Sequence, residues 1–244
     1  MLAIFKREIR SFFTSPIGYL VIGLFLVLNG LFLWVFRGDF NIFDYGFADL
    51  SNFFLLAPWV FLFLIPAITM KSFSEERKLG TLELLFIKPV GLWQTVLGKF
   101  FGTVALGLLA LIPTLLYAYT ISQLGTTVGN LDVGLVTGSY FGLFFLMACY
   151  TAIGLFTSTL SENQIISFIT GAVFCFVIYY GFYGLSTLFQ DGEVALALQK
   201  LGAKHHFEGI SRGVIDSRNL VYFISMTSFF LYLSLIQLKY RSQR

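Results

Sequence analysis

Six stretches of this chain, near residues 17–36, 53–70, 100–121, 138–157, 165–188 and 220–238, stay apolar long enough to cross a bilayer. A hydrocarbon core of ~30 Å needs about 20 predominantly apolar residues per helix, and within it every backbone polar group must pair inside the protein. These runs are continuous, whereas a barrel strand uses ~9–11 residues of alternating character. The expected fold is therefore all-α, a polytopic membrane protein with about six transmembrane helices in a single domain over residues 1–244. Composition agrees, with 57% hydrophobic and only 12% charged residues, where a soluble domain carries about a quarter charged residues.

The first residues, MLAIFKREIRSFFTSP, mix acid and base ahead of a full-length apolar run, which does not suit a cleaved signal peptide. Leu2, Phe5, Ile9, Phe12 and Phe13 recur at helical spacing, with Lys6, Arg7 and Arg10 available to lipid headgroups. This predicts an N-terminal interfacial helix that enters the membrane at Pro16. It serves either as a membrane-lipid anchor or as a partner-docking element through Phe5, Arg7 and Arg10.

Basic residues set the orientation. Lys6, Arg7 and Arg10 precede the first span; Lys71, Arg77, Lys78, Lys88 and Lys99 lie between the second and third; Lys239, Arg241 and Arg244 follow the sixth. The opposite side holds Arg37 and the four cations of the long final loop, Lys200, Lys204, Arg212 and Arg218. Both termini are expected in the cytoplasm, with the chain multi-pass. The loop STLSENQ at 158–164 carries no base and gives no orientation signal.

In the outer loop, 189–219, Phe207, Ile210, Val214 and Ile215 share one helical face. That predicts an interfacial helix, with Ser217 able to cap the last span. The adjacent His205 and His206 lack ligand spacing to other donors, so no metal site is expected. Cys149 and Cys175 fall inside spans and read as small apolar thiols. A net charge of +3, distributed at span ends, implies no nucleic-acid partner.

The six apolar windows, as drawn, contain no Asp, Glu, Lys, Arg or His, and intramembrane charged residues mark proton relays and ion-coupling sites. The energy for any transport therefore comes from outside the chain. Gly98-Lys99-Phe100 lacks both the glycine spacing and the Ser or Thr of a phosphate-cradling loop, and no nucleophile and base are paired for catalysis. Gly98 with Gly102, and Gly134 with Gly138 and Gly142, are spaced for close helix approach, either within one subunit or between two. Pro58, Pro66 and Pro113 predict kinks in the second and third spans.

Between Lys71 and Lys88 stand seven charged residues in eighteen, in the segment KSFSEERKLGTLELLFIK. Ser72 and Glu75 have capping-box spacing, Gly80 interrupts the helix, and a new turn can begin at Thr81. Leu82, Leu85 and Phe86 then share a face, with Pro89 as a stop. Such an element is either a passive interfacial loop or a lever on which a soluble partner pushes.

SEERKLGTLELLFIKPVGLWQTVLGKF resembles the cytoplasmic segment of ABC-2 type ABC transporter permeases, matching at Glu76, Arg77, Gly80, Thr81, Glu83, Pro89 and Lys99. With FKREIRSFFTSPIGY, NQIISF and HHFEGISRGVIDSRNLVYF, the chain resembles the gliding-motility permease subunit (GldF-like) and its nitrous-oxide-cluster relatives. The resemblance implies a single ABC-2 type transmembrane domain and a cytoplasmic coupling helix. It places ATPase coupling at Glu76, Arg77, Gly80, Thr81, Glu83 and Pro89, with Glu75 beside them. It further implies an ATP-binding cassette ATPase subunit that binds ATP and Mg, and no cofactor in this chain. A second permease subunit with a large extracytoplasmic domain is implied as well. Glu76 and Arg77 are read as coupling residues, against the alternative that they are solvated charges enforcing orientation. An alternative function is a non-transporting anchor or mechanical transmitter that drives an extracytoplasmic machine.

Overall fold

The computed structural model describes residues 1–46, 49–82, 91–125, 129, 131–214 and 216–242. Among these residues six helices are long and apolar enough to cross a membrane: Ile17–Val35, Ser51–Lys78, Leu92–Leu124, Val133–Leu160, Gln164–Ser186 and Ser217–Arg241. They coincide with the six apolar windows but extend beyond most of them, because a helix continues through polar residues wherever its hydrogen bonds and packing hold.

In chain order, α1 (Leu2–Thr14) turns at Ser15 and Pro16 into α2 (Ile17–Gly30), which ends in a π-helical turn at Leu31–Val35. The short α3 (Ile42–Tyr45) is capped by Asn41, whose side chain accepts from the Phe43 and Asp44 amides. The second span is α4 (Ser51–Thr69) followed by α5 (Lys71–Lys78). The third is α6 (Leu92–Leu111) and α7 (Leu115–Leu124), joined by a 3₁₀ turn at Ile112–Thr114 where Pro113 removes a backbone donor. Pro58 and Pro66, by contrast, lie inside a helix that runs through them. Next come α8 (Val133–Leu160), α9 (Gln164–Phe176), a π-helical turn at Val177–Gly181 and α10 (Phe182–Ser186). Two short helices, α11 (Gly192–Gln199) and α12 (Ala203–Ser211), precede α13 (Ser217–Ser242).

Burial ranks spans that hydropathy does not separate. The most apolar window of the α8 span is 78% buried and that of α4–α5 67%, against 28%, 28% and 22% for the first, fifth and sixth spans. The α8 helix is thus the hub, and the periphery presents apolar side chains outward. Small residues make the hub approachable, since helices in lipid associate through close backbone packing. A Cβ on Gly138 would lie 2.7 Å from the Ile210 carbonyl, and one on Gly142 3.1 Å from the Phe207 ring. The glycine row of α8 is therefore a seat for α12 within the same chain.

This seat changes the reading of the loop at 189–219. Phe207 and Ile210 are buried, at 3% and 0% exposure, while Val214 is 68% exposed. The apolar side of α12 therefore faces α8 and not lipid, and Val214 leaves that side because the helix stops at Ser211 and Gly213 turns the chain with φ +82. Ile215 lies outside the described residues. His206 holds the Asn219 side chain at 2.8 Å and the Lys200 carbonyl at 2.9 Å, and stacks on Tyr222. The side chain that accepts at the start of α13 is Asp216, from the Arg218 amide at 2.8 Å, rather than Ser217. Cys149 and Cys175 are free and buried.

Candidate functional site

The charged island begins as the end of a rod. Met70, between α4 and α5, keeps α-helical backbone (φ −53, ψ −32), so Ser51–Lys78 is one 28-residue span. At 1.5 Å per residue that is ~42 Å, longer than the ~30 Å hydrocarbon core, so α5 projects from the membrane as a direct extension of the second span. Ser72 is accordingly a buried residue within the helix, and Met70 at the helix start makes no side-chain cap. The capping-box spacing of Ser72 and Glu75 does not mark a helix start here, because the turn before it is already helical.

The end of α5 is built by Glu76, Arg77, Gly80 and Thr81. Gly80 takes φ +67, its amide bonds the Arg77 carbonyl at 3.0 Å, and the Thr81 amide bonds the Glu76 carbonyl at 2.9 Å. This pair of bonds across a left-handed residue is a Schellman stop, and the Thr81 hydroxyl adds a third bond to the same Glu76 carbonyl at 3.2 Å. A Cβ is disfavoured in left-handed backbone, which is why glycine stands at 80. Thr81 and Leu82 start the segment expected to form the coupling helix; Glu83, Leu85, Phe86 and Pro89 lie outside the described residues.

Beside this stop, four charges from three elements meet. Lys99 stands two turns inside α6, with a side chain 3% exposed, not in a loop before the third span. Its ammonium donates to Glu8 Oε1 at 3.2 Å, Glu76 Oε1 at 2.9 Å and the Ser72 carbonyl at 2.6 Å. Those bonds use all three of its donors, and the Phe73 ring centroid lies 5.0 Å away. Arg7 donates through one amino group to Glu76 at 2.9 Å and Glu8 at 3.1 Å. Two cations thus balance two carboxylates, the condition under which buried charge is tolerated. Among the described residues Glu76 Oε2 has no hydrogen-bond partner, and Glu76 lines a cavity of about 460 Å³ together with Arg7, Glu8, Lys71, Glu75 and Lys99.

Packing brings α1 into reach of Lys99. A Cβ on Gly98 would lie 2.8 Å from Ile4, and one on Gly102 2.8 Å from Glu8, so this glycine pair is the seat of α1 within the chain. A second ionic contact ties α5 to the far side of the bundle. Arg77, 7% exposed, donates to the Thr159 carbonyl at 3.0 Å and to Glu162 at 2.8 Å. Thr159 belongs to the last turn of α8, where unpaired carbonyls favour a cation. The N-terminal helix, α5 and the 161–163 connection therefore gather at one end of the bundle.

Of the residues singled out from sequence, Glu76 and Arg77 turn inward, Glu75 is exposed at the cavity, and Gly80 and Thr81 form the stop. Phe5 is half-buried, Arg7 joins the ionic cluster and Arg10 is exposed. Sequence reasoning did not single out Glu8 or Glu162. Glu8 had a signal, since it follows Ile4 and precedes Phe12 at four-residue spacing, an acid on the packed stripe of an amphipathic helix.

A profile of the ABC-2 family transporter protein matches residues 36–203, more than half of the chain. The chain belongs to the ABC-2 transporter family. Comparison with curated proteins finds no match. As an ABC-2 protein the chain is a multi-pass membrane permease subunit of an ABC transporter, and the family implies an ATP-binding cassette ATPase partner. The end of α5 carries the ionic ties described above. It is short, charged, projecting and continuous with a buried span.

Proposed function

We propose that the chain couples ATP hydrolysis by a partner ATPase to movement or transport across a bacterial inner membrane, within a gliding-motility type of complex. The ATPase binds ATP and Mg; this chain contributes no nucleotide site. A second permease subunit with a large extracytoplasmic domain completes the membrane part. Both termini face the cytoplasm, which the basic residues of α1, α5 and the end of α13 support through the positive-inside bias.

The observation that carries this reading is the continuity of α5 with α4, combined with the Lys99–Glu76 and Arg77–Glu162 contacts. Exposed Glu75, Lys78, Leu79, Gly80 and Thr81 offer the contact surface. Glu76 and Arg77 pass a displacement of that surface to α1, α6 and the end of α8. Surface and transmission are then separable by mutation. Lys78→Ala with Leu79→Ala should reduce co-purification of the ATPase, whereas Glu76→Gln should keep the ATPase bound and lose ATP-dependent function. Normal activity in Glu76→Gln would remove the transmission role. For orientation, a membrane-impermeant thiol reagent on intact cells should label Arg212→Cys and miss Lys78→Cys; the opposite pattern would invert the topology.

A further inference from the structure

We propose that the outward stripe of α1 is a binding surface for the headgroup of an anionic phospholipid. Lys6 and Arg10 lie one helical turn apart, with Arg7 next to Lys6 and Ala3 one turn earlier. The four line a shallow groove of about 560 Å³. Lys6 and Arg10 are exposed and, among the described residues, pair with no carboxylate. Arg7 is half-exposed and holds Glu8 and Glu76 through one amino group. A guanidinium has five N–H donors, so Arg7 retains donors for a phosphate. Three cations converge on a groove to which Ala3 adds only a methyl group.

The depth of α1 favours a lipid over a soluble anion. The helix is seated on Gly98 and Gly102, six and ten residues into the Leu92–Leu124 span. That span has 33 residues, or ~50 Å, against ~30 Å of hydrocarbon and ~40–45 Å including headgroups. The first turns of α6, and α1 upon them, therefore stand at headgroup level. Apolar side chains flank the cations at both ends of the helix. Met1 and Leu2 are 48% and 69% exposed, and Tyr19 and Leu20, just past the turn into the first span, are 62% and 63% exposed. Cations beside exposed apolar groups match the boundary between phosphates and acyl chains. The surface is independent of how the chain pairs with an ATPase.

The test uses the full chain in detergent micelles that contain phosphatidylglycerol and phosphatidylcholine in equal amounts, with retained lipids counted by native mass spectrometry. Wild type should retain phosphatidylglycerol preferentially. Each cation near an anionic surface contributes about 1 kcal/mol, so Lys6→Gln with Arg10→Gln should lose roughly thirty-fold in that preference, equivalent to about 2 kcal/mol. Arg7 is left in place so that the ionic cluster is undisturbed, and the charge-keeping exchange Lys6→Arg with Arg10→Lys should retain the lipid. Equal retention in wild type and the neutral variant overturns the proposal, as does loss of lipid in the charge-keeping exchange. Displacement of the lipid by glycerol 3-phosphate at comparable concentration would make this a soluble-anion site and would overturn it as well.

Discussion

Replacing Lys99 by Met keeps an unbranched side chain only one heavy atom shorter and removes the charge. In the folded chain this deletes three hydrogen bonds, to Glu8, Glu76 and the Ser72 carbonyl, and leaves two carboxylates whose side chains are 13% and 18% exposed. Removing one partner of a buried ion pair costs about 3–5 kcal/mol. Arg7 remains on both carboxylates at 3.1 and 2.9 Å, which places the expected loss near the lower end, about 3 kcal/mol. That corresponds to roughly a 150-fold fall in the folded-to-unfolded ratio. The assay is reversible unfolding of the purified chain in mixed micelles of mild and denaturing detergent, with Lys78→Met as the control. Lys78 is exposed, so its replacement should change stability by less than about 0.5 kcal/mol. Lys99→Met combined with Glu76→Gln should cost clearly less than the two single losses added, because each single change strands a charge that the pair removes together. A Lys99→Met loss below about 0.5 kcal/mol, or strict additivity in the double variant, would refute the view that these charges act as a buried unit.

Gly80→Ala places a Cβ at φ +67 and should destabilise by about 1–2 kcal/mol, less for Asn, read by the same unfolding assay. Arg77→Gln should cost about 1–3 kcal/mol because it strands the Thr159 carbonyl, whereas Glu162→Gln, at a 63% exposed side chain, should cost less than about 1 kcal/mol. Gly98→Val should push α1 off α6, so that a cysteine placed at Ile4 is alkylated several-fold faster than in the Gly98 parent. His205 is held below its ordinary imidazole pKa by partial burial and by neighbouring His206 and Lys200. The folded 189–219 loop therefore prefers the neutral ring, with stability full above the unfolded pKa of ~6.5 and declining as pH falls through the lower folded value. Melting of the chain between pH 7.5 and 5 should show that decline, and His205→Gln should reduce it.

Much of the architecture was legible because it rests on local rules. Span number follows from runs of about 20 apolar residues, and Gly80 interrupts the island because a left-handed stop needs no Cβ. The break at Pro113 follows from a missing donor. The glycine rows at 98 and 102 and at 138 and 142 announced close approach, although spacing alone left open whether the neighbour lay in the same chain. Boundaries were less legible. The third apolar window opens near residue 100, just past charged Lys99, yet α6 starts at Leu92, and the Lys99 ammonium finds two carboxylates and a carbonyl inside the protein.

The sequence by itself determined that this chain is an all-helical, six-span protein with a charged, glycine-punctuated extension on its second span. The tertiary structure alone decided that Lys99 is buried, that Glu8 is its partner from 91 residues away, and that Arg77 reaches Glu162 across 85 residues. It also decided that the Phe207 and Ile210 face covers α8 and not lipid. Helix formation and partition into a bilayer are governed by neighbours within a turn or two and by summed transfer energies, both of which a linear chain displays. Pairing of charges is governed by which helix faces meet at one height in the bundle. That height is fixed by side-chain packing between segments remote in sequence, through seats such as Gly98 and Gly102 whose occupant only the assembled fold identifies.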